Sequence, residues 1–119
     1  MRAIGREMSY FVVIRETGPG WDPAKPLQAQ AAWDAHADFI NALAAENIVL
    51  LGGALGGDGS FLLLVSAGSE AEIRRCLEED PWTRMELLRI ESIEPWRQLT
   101  GPDLVAAATS TLTPWPSSR

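Results

Sequence analysis

The stretch Asn47–Ala67, "NIVLLGGALGGDGSFLLLVSA", decides the fold. Two apolar runs, Ile48 to Leu55 and Ser60 to Ala67, flank the tetrad "GGDG". Each run is short and bounded by turn residues, as strands are. The tetrad supplies the positive-φ residues that a hairpin connection needs. Both runs are almost continuously apolar, so both faces of the resulting sheet require a cover.

Upstream, "SYFVVIR" (Ser9 to Arg15) is rich in β-branched and aromatic residues and reads as the first strand. Alternation points Tyr10, Val12 and Ile14 one way, and Phe11, Val13 and Arg15 the other. The Gly- and Pro-dense segment "ETGPGWDPAKPLQ" then breaks both strand and helix. Ordered loops of such length in small domains border functional sites. From about Leu27 to Glu46 the spacing of Trp33, His36 or Ala37, Ile40, Leu43 and Ala44 predicts a helix with one buried face. Pro26 suits its first turn.

Downstream, Ser69 and Glu72 form a capping-box pattern that opens a second helix. Ile73, Cys76 and Leu77 are its apolar face, and Pro81 ends it by disfavouring helix at Asp80. The last strand runs from about Met85 to Trp96. The order β-α-β-β-α-β predicts an α+β, ferredoxin-like sandwich: a four-stranded antiparallel sheet with two helices on one face. A second copy of the chain is the simplest cover for the other face, so a homodimer is expected.

Residues 8–97 make up this domain. Residues 98–119, rich in Thr, Ser, Pro and Ala, form a C-terminal arm or tail. Within it "PDLVAAATSTL" has the character of a short helix, and Trp115 is an apolar anchor if the arm packs on a partner subunit. An unattached tail is the other reading.

Composition limits the function. The chain has 119 residues and a net charge of −6. Lys25 is the single lysine and the arginines are scattered, so no basic stripe exists for a nucleic-acid backbone. No apolar run reaches the roughly 18 residues of a membrane span, and "MRAIGREMSY" lacks the pattern of a secretory leader. A cytoplasmic protein without membrane or nucleic-acid partners is expected. The single cysteine, Cys76, excludes an intramolecular disulfide and a multi-Cys metal site, and it reads as a small apolar residue on a helix. Asp34 and Asp38 lie four apart on one helix stripe, but no His or Cys completes a ligand set, so no metal is expected. "GGALGGDG" leads into a strand and lacks a GK[ST] ending, which rules out a phosphate loop.

His36 is the only histidine, placed by periodicity on the buried face of the first helix beside Trp33 and Ile40. It reads either as a packed core histidine with its N–H satisfied or as a titratable group in a site. Two stretches widen the view: "WDPAKPLQAQAAWDAHADFINALAAENIVLLGGAL" and "SFLLLVSAGSEAEIRRCLEEDPWTRMELLRIESIEPW". From about Tyr10 to Trp96 the chain resembles the YCII-related (YciI-like) proteins of dimeric α+β barrel architecture. The resemblance rests on His36, on "LLGGAL", on "DPW" and on the terminal "EPW". Ala54 stands where that family commonly has Pro after the paired glycines. The resemblance implies that His36 and Asp80 form an active-site pair, and it offers dehydrochlorination of a chlorinated hydroxyquinol as a precedent for the type of chemistry.

A carboxylate in hydrogen-bond reach holds an imidazole in one tautomer and favours its charged form, which suits a general acid or base. Asp80 before Pro also reads as a turn-forming residue, and the two roles are compatible. Arg15 is a candidate bidentate clamp for a substrate carboxylate or phenolate, or else a surface ion pair. Trp21, Trp33 and Trp82 are candidate walls of a substrate pocket, with core packing as the alternative, and Ser60 is a candidate hydrogen-bond donor to substrate. No activated nucleophile is evident, which disfavours covalent hydrolysis. The expected activity is cofactor-independent proton transfer to or from an aromatic or enol-type small molecule, in an elimination, isomerisation or cyclisation. A non-catalytic small-molecule-binding or accessory protein with the same pocket is the alternative.

Overall fold

The computed structural model describes residues 8–57 and 59–104. The alternation of the first strand appears directly in its burial: Phe11, Val13 and Arg15 are buried, whereas Tyr10, Val12 and Ile14 are only partly covered. This strand, β1 (Ser9–Thr17), is followed by a 3-10 turn (Leu27–Ala29) and by α1 (Trp33–Ala45). The hairpin consists of β2 (Val49–Leu55) and β3 (Ser60–Ala67). Then come α2 (Glu70–Leu77), a one-turn helix α3 (Pro81–Arg84) and β4 (Leu88–Trp96).

The four strands pair antiparallel in the order β2-β3-β1-β4, which is the ferredoxin-like arrangement. Gly56 (φ 55°) and Gly59 (φ 82°) adopt the left-handed backbone at the hairpin. Asp58 of "GGDG" lies outside the described residues, as do the C-terminal part of the 102–112 helix expectation and Trp115. Among the described residues no helix is long and apolar enough to cross a membrane.

One sheet face carries the core. Phe11, Val13, Leu63 and Val65 pack there against Ile40 and Ile73 of the helices. At about 25 cal/mol per Å² of apolar surface, this burial is the main force holding the layers together. On the opposite face Val12 pairs with Leu64 and Ile14 with Leu62 in register; Leu64 is buried, whereas Leu51 is 46% and Trp96 39% exposed at the margins.

The first helix departs from expectation. It begins at Trp33, not near Leu27, because residues before it are committed elsewhere. The buried Gln30 amide accepts from Asp22 N (3.0 Å) and donates to the carbonyls of Asp22 (2.7 Å) and Lys25 (2.9 Å). Ala31 O accepts the Trp82 indole N–H, and Ala32 takes a left-handed conformation, φ 59°. Tertiary hydrogen bonds thus outweigh helix propensity over residues 30–32. The last strand likewise begins at Leu88 instead of Met85, since Met85 caps α3 and Glu86 has φ 61°. At the far end of α1, Asn47 (φ 61°) follows the helix in a conformation that Asn tolerates better than most residues.

Candidate active site

The site is assembled from three elements. Arg15 projects from β1 at the point where β4 carries a bulge, between the pairs Ile14–Ser92 and Arg15–Ile90. Bulges of this kind re-aim strand side chains. His36 comes from the second turn of α1. Asp80 is the N-cap of α3, with Pro81 in the first helical position. The Asp-Pro pair therefore starts a helix as well as stopping one, because Pro lacks only an N–H that would have had no helical partner.

Asp80 has no exposed surface and holds three groups at once. Its Oδ1 accepts the Trp82 backbone N–H at 2.9 Å, which caps α3. Its Oδ2 accepts Arg15 Nη2 at 2.8 Å, and both carboxylate oxygens lie 3.0 Å from His36 Nδ1. Arg15 and His36 are 1% and 2% exposed. Burial by itself would raise the Asp80 pKa. The His36 hydrogen bond, the Arg15 charge and the Trp82 N–H outweigh it, so the carboxyl sits below its ordinary value. An ionised carboxylate only accepts, so Nδ1 carries the proton and donates it. In the neutral ring Nε2 is then the basic nitrogen.

An aromatic wall fixes the imidazole. His36 stacks on Trp82 with ring centroids 3.9 Å apart and planes 6° from parallel. Trp33 and Trp21 each lie 5.6 Å from Trp82, Trp21 edge-on, and Trp21 also meets Phe61 at 6.0 Å. The Trp82 indole N–H is held by Ala31 O at 2.6 Å. Trp21 rides on the Gly/Pro loop, which is clasped to the segment after α3 through Gly18 N to Leu87 O and Gly20 N to Glu86 O, both 2.8 Å. A Cβ at Gly18 or Gly20 would meet Glu86 O at 2.4 Å or Met85 O at 2.3 Å, so the close approach requires glycine.

Behind this wall is a cavity of about 10 Å³, bordered by Arg15, His36, Phe61 and Trp82 together with Leu27 and Leu88. It has room for about one water-sized group. The structure thus brings His36, Asp80, Arg15, Trp33 and Trp82 into contact, with Trp21 against their outer side. Ser60 is elsewhere: it pairs with Glu16, on the sheet face opposite Arg15, and Phe61 takes the place facing the site. Arg15 also differs from a bidentate substrate clamp. Its Nη2 donates to Asp80 and, at 3.1 Å, to Thr83 Oγ1, and either forked mode would need that nitrogen. The reading of the residues missed Phe61 and Thr83. Cys76 is half-buried on α2, and burial, with Glu46 and Glu79 nearby, raises its thiol pKa, the opposite of an activated thiolate.

No family model matches the chain, and no curated protein matches it. Among solved structures it is similar to 5-chloro-2-hydroxyhydroquinone dehydrochlorinase (TftG) from Burkholderia phenoliruptrix AC1100, in complex with 2,5-dihydroxybenzoquinone. The match has a TM-score of 0.51 and 24% identity, and covers 77% of this chain and 95% of that one. The likeness is one of fold.

Proposed function

We propose that this chain is a small cofactor-independent enzyme in which His36 moves a proton and Asp80 orients its ring. The single observation that carries the reading is the buried His36 Nδ1–Asp80 contact at 3.0 Å beside a cavity bordered by the same imidazole. With Nδ1–H donated to the carboxylate, Nε2 takes a proton from an acidic C–H or O–H and returns it in a later step. Elimination, isomerisation or cyclisation of an aromatic or enol-type molecule needs no more than this. The fold shared with a dehydrochlorinase supports that class by analogy, as does the YCII-like pattern of His36 and "DPW".

The cavity in the closed form admits one small group, so the substrate ring enters when the clasped loop bearing Trp21 and Leu27 moves aside. The same closed form is what favours the second reading, a non-catalytic small-molecule-binding or accessory protein. We also propose that the chain acts in the cytoplasm as a homodimer, joined through the apolar sheet face around Val12, Leu62 and Leu64.

A thermal-shift screen of aromatic and enol-type compounds identifies ligands, since native-state binding raises stability by mass action. Ligands are then incubated with the protein in D₂O. The account expects turnover or deuterium incorporation that His36→Ala abolishes with its circular dichroism intact. Ligands that bind but neither react nor exchange support the accessory-protein reading instead.

A further inference from the structure

Arg15 has a fully buried donor, Nε–H, that the fold leaves unused. Both hydrogens of Nη2 go to Asp80 and Thr83, whereas Nε–H, buried in a residue 1% exposed, has no hydrogen-bond partner. A buried guanidinium N–H without an acceptor is costly, and natural structures rarely keep one without use. Arg15 borders the cavity of about 10 Å³ together with His36, and the rest of the wall is apolar or aromatic: Leu27, Ile40, Phe61, Leu63, Trp82 and Leu88.

We infer that this cavity is a single-oxygen site, in which Arg15 Nε–H holds the ionised oxygen of a phenol or enol whose ring occupies the space that the loop bearing Trp21 and Leu27 vacates. The inference rests on the proton-transfer reading and adds the substrate's ionised form and its anchoring atom. Space selects the group: about 10 Å³ takes one oxygen, while a carboxylate brings two. Charge supports it as well. When His36 Nε2 accepts the proton of the substrate O–H, the O–H bond breaks and an N–H bond forms. The site then holds Arg15⁺, imidazolium, Asp80⁻ and the new oxyanion, which sum to zero. A charge-assisted bond from a desolvated guanidinium is stronger than one in water.

4-Nitrophenol tests this, because its phenolate absorbs at longer wavelength than its phenol. The full-length protein is titrated with the probe about one pH unit below the probe's own pKa, with 4-nitrobenzoate as the carboxylate control. The expected result is phenolate absorbance in the bound probe, an apparent pKa lowered by about one unit or more, corresponding to tenfold preference for the anion, and weaker binding of the benzoate. Arg15→Lys, which keeps a cation near Asp80 but has no Nε–H, should bind the probe without that preference. Should Arg15→Lys fail to fold, the wild-type arginine Nε–H resonances in ¹H–¹⁵N spectra decide: one buried signal must move on adding probe. Probe bound as neutral phenol, an unmoved Nε–H, benzoate preferred over phenol, or no binding at all each overturn the inference. If one of these is seen while His36-dependent turnover is present, the single-oxygen site fails and the proton-transfer reading stands.

Discussion

The imidazole of His36 lies flat on the indole of Trp82, 3.9 Å between centroids and 6° from parallel. The stack joins α1 to α3 and, together with Asp80, leaves the imidazole one orientation. Trp82→Phe should keep most of the stacking surface but lose the indole bond to Ala31 O, costing about 1–2 kcal/mol. Trp82→Ala also loses the fully buried ring and should cost about 3–5 kcal/mol. Urea unfolding followed by circular dichroism measures both.

Asp80 serves as helix cap, histidine partner and counter-ion of a buried arginine, so its replacement is expected to be severe. Asp80→Asn leaves the Arg15 charge uncompensated and should cost about 3–5 kcal/mol in urea unfolding. The pH dependence follows from the lowered pKa. The native state binds fewer protons at this carboxyl than the unfolded state does, so its stabilisation is complete above the ordinary value of 3.8. It is lost as pH falls below that value and through the lower native one. Acid unfolding of Asp80→Asn should therefore show a shallower slope below pH 3.8 than the wild type.

The loop over the site depends on glycine at its clasp. A Cβ on Gly20 would stand 2.3 Å from Met85 O, so Gly20→Ala must push the loop off the 85–87 segment. A loss of about 1–3 kcal/mol is expected. Faster hydrogen exchange at the Gly18 amide, and proteolysis between Pro19 and Lys25, should report the opening locally.

The apolar sheet face makes the oligomeric state testable by one exposed residue. Leu51 is 46% exposed in the single chain, where Leu51→Glu should change monomer stability by no more than about 0.5 kcal/mol. In a dimer joined through this face the same change buries a charge. Sedimentation should find the wild type at twice the chain mass and Leu51→Glu at the chain mass.

Much of this arrangement was legible in the chain because it depends on local periods. Alternation in "SYFVVIR" put Arg15 on the covered face with Phe11 and Val13, and helical spacing put His36 among buried residues. Asp80 was reached through the family resemblance, since 44 residues separate it from His36 and no local pattern links them. The start of α1 is not legible in the spacing, because Gln30 and Ala31 commit their hydrogen bonds to the loop and to Trp82, which propensity does not register. Ser60 lies off the site for a related reason: which of two neighbours, Ser60 or Phe61, faces Arg15 depends on the β1–β3 register. Thr83 carried no signal beyond nearness to Asp80. The α3 start is legible in "DPW", an Asp N-cap followed by Pro, so Pro81 marks a helix start as well as a stop.

The central claim is that His36 transfers the proton. Its most direct test is steady-state turnover of a ligand from the screen by wild type and His36→Gln, with matched thermal melts to show that both are folded. The account predicts a fall in kcat of about 10²–10⁴, the usual contribution of a positioned general acid or base. A His36→Gln protein that turns over within about threefold of wild type, against that range, would contradict it.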